Sequence, residues 1–335
     1  MNGKHEGRKV DDIMISVVLP LLNQGDRVWP MTEKLKKELM GISSEVIFVD
    51  RGSSDDTVFR ALTGLNREGM HGCVLQSGRG SAAAAACQAG LSRAEGEFVF
   101  FVSDTDRLPD GYLAACVEKA RMNEAQILLG YFYDREAQTV ERRSMSRAVV
   151  NRSGTEYLPA VFSGAFPLQM VQALFRVPFL REKQVYFHEE CGCGFDEEFL
   201  YTALMRASSV VPVPWKLYIL KPYGLEQADS QACRQRVEAL LRVRDLAACT
   251  ASVNLHTQQI LQRQVLPSAV VEYIDRMRAE GHKPFEIYRD LHHRGYGKYL
   301  HLSRDTTPDL RRRMQEWRTS FLFSGKKEKK PKEKT

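Results

Sequence analysis

The 335-residue chain lacks any apolar run of the about 18–20 residues needed to cross a bilayer. Its apolar runs are short, and the one between Glu97 and Ser103 is strand-sized. The N-terminal stretch MNGKHEGRKVDD is polar and has none of the apolar core of a secretory signal. Cysteine is sparse and odd in number. Seven residues (Cys73, Cys87, Cys116, Cys191, Cys193, Cys233 and Cys249), scattered through a chain of this size, read as reduced cytosolic thiols and not as a disulfide framework. Paired metal-ligand spacing is also missing. His188, Cys191 and Cys193 have liganding side chains but no C-x-x-C pair, and His292-His293 has no companion carboxylates, so a zinc site is not expected. There is no internal repeat and no collagen-like or coiled-coil period. What remains, 43% hydrophobic and 27% charged residues, is the mix of a globular protein with one large or two modest domains and a real core.

Charge divides the chain. The formal net charge is +6, but residues 226–335 hold 22 Lys and Arg against 14 Asp and Glu, net +8, which leaves residues 1–225 at −2. Such asymmetry points to an anionic partner for the basic part.

The first half alternates between short apolar strands and helical segments. Strands are expected at Met14–Leu19, Glu45–Val49, Cys73–Leu75, Glu97–Val102 and Gln126–Gly130. Helices are expected at about 28–40, from Ser54 or Asp55 (as cap) to Leu65, over Gly80–Arg93 and over Pro109–Met122. Near-continuous apolar strands between helices indicate a parallel sheet covered on both faces. Ligands then sit at the carboxyl ends of strands, which here means just after Val49 and Val102. Asp134–Thr155 is polar and reads as a loop or irregular hairpin. Beyond Tyr223 the pattern is helical: Gln231–Ser252, Thr257–Met277, Pro284–His293 and Pro308–Phe321, with Pro267 starting, kinking or breaking the second. The segment Lys326–Thr335 has too little apolar content to fold.

Both strand ends are acidic. After Val102 stands Ser103-Asp104-Thr105-Asp106. Two carboxylates one residue apart can share a hard divalent cation or hydrogen-bond a ribose; they can equally form a solvated turn capping the helix at Pro109. After Val49 stands Asp50-Arg51-Gly52-Ser53-Ser54-Asp55-Asp56-Thr57. Asp50 is placed to point off the strand end, where a carboxylate can accept the imide proton of a uracil, and Gly52 permits a sharp turn. A plain strand-to-helix turn fits the same residues. Gly78-Arg79-Gly80-Ser81 opens a helix whose N–H groups could take a phosphate, or it is a simple tight turn.

Taken together these segments carry a resemblance. Ile15-Ser-Val-Val-Leu-Pro20 with Asn23, Glu45-Val-Ile-Phe-Val-Asp50-Arg-Gly52-Ser53-Ser-Asp55-Asp-Thr57, Ala89-Gly90-Leu with Ala94-Glu-Gly96-Glu-Phe98, and Asp104-Thr-Asp106 resemble, in order and spacing, family 2 glycosyltransferases of the GT-A fold. The similarity continues through Leu174–Leu180, Phe187-His-Glu and Gly194-Phe-Asp196-Glu-Glu-Phe-Leu200 to Leu217-Tyr218, about 1–221 in all. It implies a GT-A (Rossmann-like) α/β fold: a mixed sheet sandwiched by helices. The expected domains are 1–225 (GT-A-like), 226–325 (helical C-terminal extension) and 326–335 (disordered basic tail).

The resemblance also implies roles. Pro20, Asn23, Asp50, Arg51 and Asp104 would bind the nucleotide sugar, and Asp104 and Asp106 would hold a divalent metal, Mn2+ or Mg2+. Asp196 would be the general base of an inverting transfer to a glycan or lipid-linked acceptor hydroxyl; read without the family, it is an N-cap of the helix Glu197–Arg206. The donor implied is a UDP-sugar. The chain departs from the family pattern at Leu22, Arg51, Ser103, Thr105 and Phe195. Arg51 replaces an acid and puts a cation beside the nucleotide, for a phosphate or for Asp104. A non-catalytic GT-A-like scaffold that docks on a membrane or partner enzyme is the alternative; a nucleotidyltransferase is opposed by the Asp196 segment.

In the C-terminal third, Arg311-Arg312-Arg313, Arg318 and the Lys-rich end are interleaved with Trp317, Phe321, Leu322 and Phe323. Such a helix suits an anionic leaflet, each cation there contributing ~1 kcal/mol, or it packs its apolar stripe on the rest of the protein. The expectation is a cytoplasmic protein, at the inner membrane face in the first case. Nothing resembles a nucleic-acid-binding fold.

Overall fold

The computed structural model describes residues 13–103, 108, 110–132, 151–217, 229–302 and 306–324. These fall into two compact units. The first comprises the described residues of Met1–Gly154, Leu168–Cys191 and Arg206–Lys221; the second, those of Thr155–Pro167, Gly192–Met205 and Pro222–Thr335.

The first unit is a seven-stranded sheet flanked by helices. The strands are β1 (Ile15–Leu21), β2 (Ser44–Asp50), β3 (Gly72–Gln76), β4 (Phe98–Phe101), β5 (Ile127–Phe132), β6 (Ala173–Arg176) and β7 (Val210–Leu217), in the order β3-β2-β1-β4-β6-β5-β7. Strands β1 to β4 pair in parallel, and β5 pairs in parallel with β7. The parallel pattern of the apolar strands is interrupted by β6, which runs antiparallel to both β4 and β5, giving the mixed sheet that the resemblance implied. Strand direction leaves no trace in apolar content, so the mixed sheet was implied only by the resemblance. The central strands are near-continuous apolar runs because both faces are covered: Val17, Val18, Leu19, Val46, Ile47 and Phe48 are fully buried. Pro20, improbable in a central strand, is tolerated for a local reason. Val18 accepts from Val102 N–H at 3.1 Å, so Pro20, two residues on, faces the same side, past the end of β4 at Phe101.

Helices α1 (Gly25–Glu38), α2 (Thr57–Arg67), α3 (Ala83–Arg93) and α4 (Tyr112–Met122) lie between the first five strands. Each starts near, but not at, its expected residue. Helix α3 begins three residues after Gly80, and α4 three after Pro109, behind Gly111 in the left-handed region (φ 74°). Gly90 lets α3 lie against β1: a Cβ there would stand 2.3 Å from Val18 Cγ1. A short helix α5 (Leu158–Phe162) belongs to the second unit, and α6 (Val177–Glu182) follows β6 directly. Most of the polar stretch 134–155 lies outside the described residues.

The second unit is helical. It holds α5, most of α7 (Phe195–Arg206), α8 (Ser230–Cys249), α9 (Leu255–Ile260), α10 (Leu266–Ala279), α11 (Pro284–His293) and α12 (Pro308–Ser324). Asp229 and Asn254 cap α8 and α9, accepting from Ala232 N at 2.8 Å and Thr257 N at 2.9 Å. The single helix expected over 257–277 is divided. Pro267 cannot donate to the preceding turn, and the chain widens into a π-turn over Leu261–Val265 before α10 begins, with Pro267 in its first turn. On α12 the stripe Leu310, Met314 and Trp317 is buried, and Arg313 forks onto Asp275 of α10 (Nη2 at 2.6 Å). That stripe is used in packing. Among the described residues no helix is long and apolar enough to cross a membrane.

Candidate active site

The carboxyl ends of β1 and β2 are level, with Leu21 opposite Asp50, and their loops are laced together. Asn23, held at φ 52°, donates its N–H to Ser53 Oγ (2.9 Å) and accepts Ser54 N–H on Oδ1 (2.8 Å). Asp55 accepts Gly25 N–H at 3.1 Å and Thr57 N–H at 3.1 Å, and Gln24 N–H donates to Thr57 Oγ1 at 2.8 Å. The Thr57 hydroxyl, followed by these backbone donors, holds the Asp55 carboxyl below the ordinary aspartate range. Neither Ser54 nor Asp55 is the cap of α2; Asp56 occupies that position without a side-chain cap bond.

Pro20, Asn23, Asp50 and Arg51 are therefore gathered at one sheet edge. Asp50 is 2% exposed, and its carboxylate turns back to accept from Gly52 N (3.1 Å) and Ser53 N (3.1 Å). Two of its acceptor positions thus shape its own turn. Gly52 completes that turn at φ 93°, where a Cβ would meet Arg79 Cα at 2.7 Å. Arg51 crosses to the β3–α3 loop and donates Nε–H to the Ser81 carbonyl at 2.9 Å. Burial pulls its guanidinium below the ordinary arginine value. Asp104 and Asp106, and with them the expected metal ligands, lie outside the described residues. Ser103, at the end of β4, is buried.

Asp196 belongs to the second unit. It lies inside the first turn of α7, which begins at Phe195, so it is not the N-cap. Burial, then the neighbouring Glu197 charge, pushes its carboxyl up to about 6, against the pull of backbone N–H groups and Arg236. Arg236 of α8 forks onto Glu197 (2.6 and 2.9 Å) and reaches Glu272 of α10 (2.6 Å). Burial opposes the Arg236 charge, but the carboxylates outweigh it and raise the guanidinium well above its ordinary value. Arg242 of α8 forks onto the buried Glu198 at 2.7 and 2.6 Å. Burial, then the Asp196 charge, pushes the Cys193 thiol up to about 12.

The sequence profile of glycosyl transferase family 2 matches residues 16–184, half of the chain. The chain belongs to that family. Among curated relatives of this family 2 member, dodecaprenyl-phosphate galacturonate synthase from Rhizobium johnstonii is 26% identical over 129 residues, 38% of each chain. Glycosyltransferase GlyG from Streptococcus pneumoniae is 26% identical over 121 residues, 36% of this chain and 40% of the relative. The matches thus span about two fifths of those relatives' lengths. Among solved structures, S. aureus TarS 1–349 in complex with UDP superposes with TM-score 0.64 at 17% identity, covering 92% of this chain and 88% of TarS. The Pyrobaculum calidifontis mannosyltransferase PcManGT, in complex with GDP-Man and Mn2+, gives TM-score 0.54 at 17% identity, covering 94% and 88%. At such identities the likeness is one of fold, and the fold is GT-A-like.

Two arrangements at the site have no counterpart among the sequence expectations. The Asp55–Thr57 pair stands inside the motif, so its signal was present; its partner Gly25 lies 30 residues away. Arg236 had no signal, because nothing near it in sequence names Glu197 as its partner.

Proposed function

We propose that the chain is an inverting glycosyltransferase that moves a sugar from a nucleotide sugar to an acceptor hydroxyl. The reading is carried by one observation: the matched family segment gathers Pro20, Asn23, Asp50 and Arg51 at the carboxyl edge of β1 and β2, where α/β sheets bind ligands. In this reading Asn23 and the acceptor positions of Asp50 left by Gly52 and Ser53 engage the base and ribose, and Arg51 lies beside the phosphates. The acceptor oxygen attacks the anomeric carbon as its bond to the diphosphate oxygen breaks. Asp196 takes the acceptor's proton, and the configuration inverts. A carboxyl near 6 is suited to a base that must be ionised at neutral pH yet bind a proton in the transition state.

The donor set Asp104-Thr105-Asp106, all hard oxygen ligands, fits Mn2+ or Mg2+. Asp104 and Asp106 would hold the ion, whose chemistry is to neutralise charge on the leaving diphosphate. The donor is a UDP-sugar in this reading; TarS carries UDP and UDP-GlcNAc in its complexes, while PcManGT carries GDP-Man. A lipid-linked acceptor is supported by the name of the Rhizobium relative.

Calorimetric titration with UDP and with GDP, with and without Mn2+, tests the donor site. One nucleotide binding only with the metal, and not binding to Asp104→Ala/Asp106→Ala, is the expected result. Absence of metal-dependent binding to any nucleoside diphosphate would overturn it in favour of a non-catalytic scaffold.

A further inference from the structure

The first turn of α7 carries three consecutive carboxylates, Asp196, Glu197 and Glu198. Left to themselves they would repel one another. The second unit handles the three differently. Glu198 is 5% exposed and is held by the Arg242 fork. Glu197 is gripped by Arg236 through two bonds, and the third arm of Arg236 is anchored by Glu272 of α10. Asp196 receives neither fork.

The backbone reinforces the grip. Gly194, at φ 78°, comes so near α8 that a Cβ would stand 2.9 Å from Arg236 Cα. The loop entering α7 thus rests on the α8 residue that holds Glu197. The N–H of the neighbouring Gly192 donates to Gln235 Oε1 at 3.1 Å.

We propose that Arg236 is a positioning residue for Asp196. By pairing with Glu197 and fixing the start of α7 on α8 and α10, it leaves Asp196 as the one carboxylate of the turn without an arginine fork. The role rests on the reading of Asp196 as base. Among the described residues, the charged and titratable groups facing Asp196 are Glu197 and Tyr201 on α7, Cys193 in the preceding loop and Arg236 on α8. Glu272 reaches the same cluster through Arg236. Glu197 and Arg236 act on Asp196 in opposite directions. Removing the cation therefore exposes Asp196 to the uncompensated Glu197 charge, and removing Glu197 relieves it.

The test needs no substrate. Full-length protein labelled with carbon-13 at the aspartate carboxyls is titrated by NMR, and the Asp196 signal is assigned by its loss in Asp196→Asn. The wild-type midpoint is expected near 6. Arg236→Met moves it up by about one pH unit and Glu197→Gln moves it down, the scale of neighbouring-charge effects. Arg236→Lys keeps the charge without the fork and moves it less. Once a donor and acceptor are found, the acid limb of the pH–rate profile follows the same order. A merely structural role for Arg236 would lower stability without this ordered, opposed pair of shifts.

If Arg236→Met fails to fold, Arg236→Lys and Glu197→Gln carry the test. An Asp196 midpoint unmoved in the folded variants overturns the proposal. An Asp196→Asn protein that turns over at the wild-type rate instead overturns the base assignment, whatever the titration shows.

Discussion

The Asp55 carboxylate accepts the backbone N–H of Gly25 at 3.1 Å, which fastens the loop after β2 to the start of α1. With the Thr57 bonds it makes one body of two loops that a nucleotide would need held still. Asp55→Ala strands these donors and is expected to cost about 1–2 kcal/mol. The urea midpoint should fall with the slope unchanged. Because its folded-state pKa is depressed, Asp55 contributes stability that is present above the ordinary aspartate pKa and lost as pH falls through the depressed value. Asp55→Asn should therefore flatten the acid side of the stability curve below about pH 4.

Gly52 meets two constraints at once. Its φ of 93° is hard for any L side chain, and a Cβ would collide with Arg79 backbone at 2.7 Å. Gly52→Ala should cost about 1–3 kcal/mol, left-handed backbone and overpacking together. The turn also supplies the Asp50 bonds, so nucleotide affinity by calorimetry should fall with it.

Asp196 is expected to reduce stability where it is ionised. Its folded-state pKa, about 6, lies above the unfolded value of 3.8. The folded state thus binds more protons between these values, and stability is lost as pH rises through about 6. Asp196→Asn should be more stable than wild type at pH 7.5, by ~1–3 kcal/mol at about 1.4 kcal/mol per pKa unit, and indistinguishable from it near pH 4. Denaturant unfolding at the two pH values checks the sign. Turnover should vanish in the same variant while nucleotide binding survives, the exchange of stability for function that catalytic groups impose.

How legible all this was depends on where the information lay. Strands β1, β2 and β4 were readable because burial on both faces turns them into unbroken apolar runs such as Phe98–Phe101. The antiparallel sense of β6 was not, because four residues, Ala-Leu-Phe-Arg, read alike in either direction. Pro267 signalled a break, but the π-turn that absorbs it depends on Leu266 N–H reaching back to Leu261. At the candidate site, Asn23, Asp50 and Asp196 stood in local motifs. What surrounds them did not. The Arg236–Glu197 fork joins residues 39 apart, and no local pattern selects one partner among the many arginines of α8. The turning back of Asp50 onto Gly52 and Ser53 was available in principle, since aspartate before a glycine turn commonly bonds its own backbone two residues on.

A buried polar junction lies at the sheet's amino end. Ser16 Oγ donates to Glu45 Oε1 at 2.6 Å and accepts Gly96 N–H at 2.9 Å, while Glu95 N–H donates to the same Glu45 oxygen at 2.7 Å. Ser16 and Glu45 are 0% and 1% exposed, so neither can turn to water if a partner is lost. Gly96 fits only because it has no side chain: a Cβ would lie 2.7 Å from Ser16 N. Ser16→Ala leaves Gly96 N–H without its acceptor and removes a donor from a buried carboxylate. The expected loss is about 1–3 kcal/mol, the range for unsatisfied buried polar groups. Ser163→Ala is the matched control. Its hydroxyl donates to the Ala160 carbonyl at 3.2 Å on an exposed helix end, where water replaces it, and the change should stay within about 0.5 kcal/mol. Equal effects of the two substitutions in urea denaturation would mean that the junction is not what holds β1, β2 and the turn before β4 together.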